Sequence, residues 1–254
     1  LIMIFFQLKN DHYISAPNFT NLMVQMAGIT TIAIGVVFVL LLGEIDLSIG
    51  YVSGVAGVIV AELQAPDGNL VVKGILAIAI AVILTGVIGV LHGTFIAIVG
   101  VPAFVVTLAG LLFWQGVIIQ TIGDTGVITI QDTTINNVSG YYFSDTVGII
   151  IAVVAAVLFG LATFSGVVNR RRHGITSDNV VVVAAKAAFV AAVTIGAVVW
   201  ANHERGFPVS GVLVVVLLIF WTWVAERTTF GRHVYAVGGN AEAGGIVVNE
   251  RRSA

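Results

Sequence analysis

The amino-acid sequence predicts an all-α, polytopic transmembrane helical bundle with broken or re-entrant helices. Hydrophobic residues make up 58% of the 254 residues and charged residues only 9%, whereas soluble domains are about one quarter charged. The mean hydropathy is +1.07, and the apolar residues form long runs separated by short polar segments. A chain with so little polar surface cannot face water on all sides, so we expect most of it to lie in lipid.

Successive apolar runs approach the roughly 20 residues that a helix needs to cross a bilayer. They are predicted over residues 27–42, 50–63, 70–91, 101–122, 146–168, 180–200 and 209–224. Residues 1–8 have the composition of the end of a further helix. The mixed segment 18–26 is expected at the membrane interface. His92 and Gly93 are expected to interrupt the third of these runs.

The composition excludes several classes of function. The chain contains no cysteine, which rules out disulfide scaffolds, thiolate metal sites and cysteine nucleophiles. It has neither a Walker A sequence nor a nucleophile and base in a plausible context, so we expect no enzyme, no catalytic residue and no ATP hydrolysis by this chain. The net charge of −2 gives no reason to expect nucleic acid as a partner, and no metal site is predicted.

The most informative local pattern is GEIDLSIG, residues 43–50. Glu44 and Asp46 lie between two apolar runs that are both short for a span, and carboxylates at membrane depth are costly unless they face water or a partner. One interpretation is a helix break of the kind that lines a transport path, with Asp46 or Ser48 capping the next helix. The other is an ordinary cytoplasmic hairpin, and the sequence leaves both open.

A second interruption surrounds Pro102, which stands at a predicted helix start, where its missing N–H costs nothing. Gly93 and Gly100 weaken the segment before it, so a re-entrant or kinked element and a cytoplasmic loop are equally compatible with the sequence. His92 has no partners at metal-ligand spacing, and we expect a hydrogen-bonded structural role for it. Lys186 lies about two turns into its span, and its side chain is expected to reach back to the membrane edge.

The basic residues predict the orientation of the chain. If successive spans alternate in direction, one side of the membrane receives Arg170, Arg171, Arg172, Arg227, Arg232, Arg251 and Arg252. The opposite side receives Lys9, Arg205 and, at a membrane edge, Lys73, together with Asp67 and the aspartates of the long polar loop 123–145. Because Lys and Arg concentrate in cytoplasmic loops, the three-arginine segment and the C-terminal segment are predicted to be cytoplasmic.

Three stretches together resemble the membrane permease subunits of bacterial sugar-importing ABC transporters, in the ribose/xylose/branched-chain amino acid permease family. They are GEIDLSIG at residues 43–50, VPAFVVTL at 101–108 with WQG at 114–116, and FGRHVYAVGGNAEA at 230–243. The arginine-rich segment and span over residues 170–200 is similar to the xylose-type branch. After Ala243 the sequence GGIV departs from the family pattern, and family members continue with further spans.

This resemblance implies a function and a set of partners. It implies one permease domain over residues 1–254, incomplete at both ends, in the bacterial plasma (inner) membrane. The domain would translocate a monosaccharide, a xylose-like pentose or related sugar, to the cytoplasm by alternating access. The partners would be a cytoplasmic ATP-binding cassette ATPase that uses ATP and Mg, an extracytoplasmic sugar-binding protein, and a second permease copy in a homodimer within the lipid membrane. No cofactor is implied in this chain.

Two sets of site residues follow from this interpretation. A coupling region at about 226–250 is expected to dock into the ATPase as a coupling helix, through Gly238, Gly239, Asn240, Glu242 and Ala243. The translocation pathway is expected to use Glu44, Asp46, Ser48, Phe104, Thr107 and Gln115, most of which can bond sugar hydroxyls. The polar loop 123–145 is expected to help dock the binding protein.

One alternative from another class stays open. An ion-gradient-driven secondary transporter or channel for a small polar solute would need carboxylates deep in the bilayer. Most acidic residues lie in loops, and Glu44 and Asp46 are the exceptions. An intramembrane enzyme would need a paired nucleophile and base, which the sequence does not offer, and a non-transporting scaffold of the same family has no distinguishing sequence feature.

Overall fold

The computed structural model describes residues 2–64, 72, 74–123, 126–130, 132–173 and 179–239. The helices in these ranges are α1 (Ile2–Lys9), α2 (Ala16–Leu41), α3 (Ile49–Glu62), α4 (Ile75–Ala97), α5 (Ala103–Ile122), α6 (Thr133–Gly140), α7 (Asp145–Arg172), α8 (Val180–Ala201), α9 (Val209–Arg227) and α10 (Thr229–Gly239). The described residues contain no β-strand, only an isolated bridge between Tyr142 and Pro208. The prediction of an all-α fold is therefore confirmed.

Six of the described helices are long and apolar enough to cross a membrane: α2, α4, α5, α7, α8 and α9. The prediction of a polytopic helical bundle in a membrane is confirmed by these helices. The exception among the predicted spans is α3, which has 14 residues. At 1.5 Å per residue it is about 21 Å long, which is less than the roughly 30 Å of a bilayer's hydrocarbon core.

Segment 18–26 is the first part of α2, and its place at the membrane interface stays a prediction. The helix boundaries correct two expectations. The interruption predicted at His92 and Gly93 is wrong, because α4 continues through both residues to Ala97. The three arginines expected in a loop form the last turn of α7, where a cation is favoured by the partial negative charge of the helix end.

One compact unit comprises residues 2–26 and 140–211. Its centre is the antiparallel pair α7 and α8, which approach closely where a Cβ on Gly148 would lie 3.2 Å from Val198 Cγ1. The segments before α7 and α9 are joined by the Phe143 N–H, which donates to the Phe207 carbonyl at 2.9 Å. Asn179 caps α8, its Oδ1 accepting from the Val181 N–H at 3.0 Å.

The other unit comprises residues 27–139 and 212–254, described as far as 239. Here α3 packs against both α4 and α5. The connection from α4 to α5 is a short turn in which Gly100 has a φ of +82° and Pro102 occupies the N-cap of α5. Since α4 and α5 are both long enough to span, this geometry favours a loop at Pro102 over a re-entrant element.

Asp132 joins the start of α4 to the start of α6 within this second unit. Its Oδ2 accepts from the Gly74 N–H at 3.0 Å, and its Oδ1 accepts from the N–H groups of Thr134 and Ile135 at 2.8 and 3.1 Å. Partial burial raises the pKa of the Asp132 carboxyl, but the backbone hydrogen bonds from Ile135, Thr134 and Gly74 outweigh it and hold that pKa below its ordinary value.

We expect Asp132→Asn to lower the melting temperature of the detergent-solubilised protein at neutral pH. The amide keeps one acceptor oxygen but turns an N–H₂ donor toward the Gly74 N–H. Because the folded-state pKa is depressed, the stabilisation by the carboxylate is present above the ordinary value of 3.8 and is lost as the pH falls through the folded value. The variant should therefore lose less stability than the wild type on acidification from about pH 7 to about pH 3.

The matched control is Asp145→Asn, which removes a carboxylate from the first turn of α7. It should leave the acid-dependent difference near that of the wild type. An identical pH dependence in wild type and Asp132→Asn would contradict the role assigned to this carboxylate.

Candidate functional site

A cavity of the second unit lies where α3, α4 and α5 meet the segment between α2 and α3. Its volume is about 450 Å³, and its polar lining comes from Glu44, Asp46, Ser48, His92 and Thr107. The remaining lining is apolar and is contributed mainly by α4. The cavity thus has the usual character of a small-molecule site, an apolar wall with a few convergent polar groups.

The chain leaves the helical conformation after Leu41, and residues 43–48 form a structured break. Gly43 has a φ of +80°, in the left-handed region that only glycine adopts without strain. Asp46 Oδ1 then accepts from both the backbone N–H and the hydroxyl of Ser48, at 2.8 and 2.7 Å. Ser48 occupies the N-cap of α3 but makes no side-chain capping hydrogen bond, so the expected capping by Asp46 or Ser48 is replaced by this bond between them.

His92 connects this break to two further helices. Its Nδ1 lies 3.3 Å from Ser48 Oγ, and the Trp114 Nε1–H donates to its Nε2 at 3.3 Å. We call these two hydrogen bonds the His92 bridge. Indole can only donate, so Nε2 must accept and Nδ1 must carry the proton. The donors then run in one direction, from Trp114 through His92 and Ser48 to the carboxylate of Asp46.

The His92 bridge also fixes the depth of the break. His92 lies five residues before the end of α4, and Gly110, whose Cβ position is 3.3 Å from Ser48 Cβ, lies seven residues after the start of α5. At 1.5 Å per residue, α3 therefore begins about 8 to 10 Å inside the ends of its neighbours. Together with the shortness of α3, this favours the helix break over a hairpin outside the membrane.

Four of the predicted pathway residues, Glu44, Asp46, Ser48 and Thr107, line the same cavity. Phe104 is exposed and Gln115 is half-buried, and neither lines it, so their pathway role stays a prediction. A structural role was predicted for His92, but its partners Ser48 and Trp114 were not predicted. The sequence feature that could have indicated them is that polar side chains are rare in these apolar segments. The described residues contain no group of three or more metal-ligating side chains.

Two of the predicted coupling residues, Gly238 and Gly239, lie at the end of α10. Gly238 lies against the end of α2 so closely that a Cβ there would overlap the Leu41 carbonyl oxygen. At Gly239 a Cβ would meet no atom within 4 Å. Both glycines belong to α10. Asn240, Glu242 and Ala243 lie outside the described residues.

Aromatic side chains also join α2 to α9 and α10. The Phe38 ring of α2 lies 5.3 Å from the Trp221 ring of α9 and 5.9 Å from the Phe230 ring of α10, measured between centroids. A Cβ on Gly231 would overlap the Ala225 carbonyl oxygen, so the corner between α9 and α10 is tight. The end of α2 is therefore in direct contact with α10, two residues before the break begins at Gly43.

We expect Gly110→Ala to destabilise the protein and disturb the His92 bridge. The added Cβ would lie 2.6 Å from His92 Cε1, and overpacking of this kind costs about 1–3 kcal/mol. The measurement is the melting temperature in detergent, together with the fluorescence of a variant in which Trp114 is the remaining tryptophan.

Gly116→Ala on the same helix is the control, because a Cβ there meets nothing within 4 Å. It should leave both readouts unchanged. Equal behaviour of the two variants would contradict the close packing of His92 on Gly110.

Comparisons with known proteins agree with this architecture. The family described as "Branched-chain amino acid transport system / permease component" matches residues 18–248. The xylose transport system permease protein XylH of Escherichia coli K12 is 34% identical over 245 residues, which is 95% of this chain and 61% of that protein. XylH of Haemophilus influenzae is 36% identical over 253 residues, covering 96% and 64%. No solved structure matches the chain.

A more distant relative is the L-arabinose ABC transporter permease protein AraH of Azospirillum brasilense, 26% identical over 166 residues, or 63% of this chain and 48% of that protein. The chain spans a little over 60% of the length of the xylose permeases. The match to permease components confirms the predictions of the family and of a non-catalytic membrane subunit. The chain belongs to the branched-chain amino acid transport system / permease component family.

Proposed function

We propose that the chain is part of the permease subunit of an ATP-binding cassette importer that moves a monosaccharide, a xylose-like pentose, into the cytoplasm by alternating access. The relatives named as xylose permeases support the substrate class. A cytoplasmic ATPase would supply the energy from ATP and Mg, an extracytoplasmic binding protein would deliver the sugar, and a second permease copy would complete the pathway. The described part of loop 123–145 would face the binding protein, and α10 would face the cytoplasm.

The observation that carries this proposal is the contact of Gly238 with the Leu41 carbonyl. Through this contact α10 packs against the last residue of α2, and the break that lines the cavity begins two residues later. A displacement of α10 by a soluble partner would therefore be transmitted to residues 43–48 through directly contacting backbone, with no flexible side chain between the two segments. Rigid contact of this kind is how small movements at one site become larger ones at another.

The cavity fits transient binding of a polyol. Its volume of about 450 Å³ lies within the range of about 300–1,000 Å³ found for small-molecule sites. The hydroxyls of Ser48 and Thr107 are already engaged, that of Thr107 by the Ala103 carbonyl at 2.8 Å. Glu44 is exposed, and no hydrogen bond among the described residues uses Asp46 Oδ2. These carboxylate oxygens would accept from sugar hydroxyls, while few fixed donors would hold the sugar.

We expect Gly238→Ala to reduce ATP-driven uptake of radiolabelled xylose about tenfold or more, since coupling between sites is typically worth about 5- to 150-fold. The experiment uses the full-length protein, co-expressed with the ATPase and binding protein encoded beside it and reconstituted in vesicles. Gly239→Ala is the control and should transport normally, because its Cβ enters open space. Equal transport by both variants would contradict the transmission through Leu41.

Bulky substitutions test the docking of the ATPase separately from the contact of Gly238 with Leu41. Gly239→Trp and Glu242→Trp should abolish uptake and prevent co-purification of the ATPase, while the permease stays in the membrane. Normal uptake in both variants would refute the docking of the ATPase at this segment.

The same vesicles distinguish the gradient-driven alternative, for which Glu44 and Asp46 in the cavity are the favouring observation. Uptake that persists without ATP and collapses with a protonophore would establish that alternative. Uptake that requires ATP and survives the protonophore supports the importer.

A further inference from the structure

A second feature of the chain lies in the first unit, outside the proposed pathway. A groove of about 240 Å³ runs between α7 and α8, near the end where α7 stops and α8 begins. Its α7 wall includes Phe159, Thr163, Gly166 and Arg170, which are spaced along one helix face, and its α8 wall includes Val183 and Lys186. The family and the proposed transport function assign no role to this groove.

The wall of the groove is apolar over the depth of one membrane leaflet. From Phe159 to Arg170 is about 16 Å along the helix axis, roughly half of a 30 Å hydrocarbon core. The Thr163 hydroxyl is occupied by the carbonyls of Phe159 and Gly160, at 3.0 and 2.9 Å. Gly166 leaves open space, since a Cβ there would meet nothing within 4 Å. Between Phe159 and Gly166 the groove therefore offers no free hydrogen-bond donor.

Two cations stand at one end of this apolar wall. Arg170 lies in the last turn of α7, and Lys186 lies six residues after the start of α8, about 9 Å along the axis. Within the described residues, neither side chain forms an ion pair or a hydrogen bond with a protein group. Both side chains are exposed and line one groove, so an anion bound between them would relieve the repulsion between their like charges. The arrangement thus suits an anion at the mouth of the groove.

We propose that the groove binds one anionic phospholipid, with its phosphodiester between Arg170 and Lys186 and an acyl chain along Phe159 and Gly166. Basic pockets between transmembrane helices suit anionic lipid headgroups. A free phosphate would leave the apolar wall unused. An apolar partner helix would leave both cations without an anion.

Native mass spectrometry of the full-length protein tests this site. The purified protein is equilibrated with an equal mixture of phosphatidylglycerol and phosphatidylcholine, and the retained lipid is identified. The wild type should retain one phosphatidylglycerol in preference to phosphatidylcholine. Arg170→Gln with Lys186→Gln should weaken that retention about tenfold or more, because both charges that face the phosphate are lost.

A charge-matched control is Arg172→Gln with Arg205→Gln, which removes two cations that do not line the groove. It should retain phosphatidylglycerol as the wild type does. Equal loss in both double variants would mean a general charge effect and would overturn the site. Equal retention of the two lipids by the wild type would overturn it as well.

A second pair of variants tests the binding of an acyl chain in the apolar part of the groove. Gly166→Leu fills the groove and should abolish retention with both cations intact, whereas Gly160→Leu, on the same helix but outside the lining, should not. Both changes enter open space, so the melting temperature in detergent should stay close to that of the wild type. Retention by Gly166→Leu would refute the seating of an acyl chain in the groove.

Discussion

The His92 bridge is the constraint on which the arrangement of the second unit depends. Ser48, His92 and Trp114 belong to three different helices, and one imidazole ring satisfies a polar group from each of its neighbours. In a bilayer no water is available to replace a lost partner, so a helix break must satisfy its polar groups within the protein. Gly110 permits this by leaving room for the ring. The break therefore exists at this depth because His92, Trp114 and Asp46 complete its hydrogen bonds.

The break is flanked by two contacts that differ in rigidity. At one end of the break Ser48 is hydrogen-bonded to His92, and two residues before its other end Leu41 packs against Gly238. The hydrogen bond of Ser48 with His92 can be exchanged for another. The backbone contact of Gly238 with Leu41 can only move as a rigid unit. A segment placed between an adaptable contact and a rigid one fits a transporter whose soluble partner drives opening and closing, and this supports the proposed function.

The fold was largely predictable from the sequence, because hydropathy and charge decide which segments lie in lipid. The residues of the break were predictable too, since Glu44 and Asp46 are conspicuous between short apolar runs. The partners of His92 were not, because Ser48 and Trp114 are 44 and 22 residues away and only helix packing brings them together. Local propensity misplaced one feature. The interruption expected at His92 and Gly93 is absent because α4 continues through both residues, where the packing of His92 outweighs the cost of the glycine.

The most direct test is ¹⁵N solid-state NMR of the histidine ring nitrogens of the full-length protein in lipid bilayers, with His92 assigned by comparison with a His92→Gln variant. We expect Nδ1 of His92 to carry the ring proton and Nε2 to accept a hydrogen bond, so that the Nε2 resonance shifts when Trp114 is replaced by phenylalanine. A proton on Nε2 would contradict it, because two donors cannot face each other, and the His92 bridge would then not hold the break.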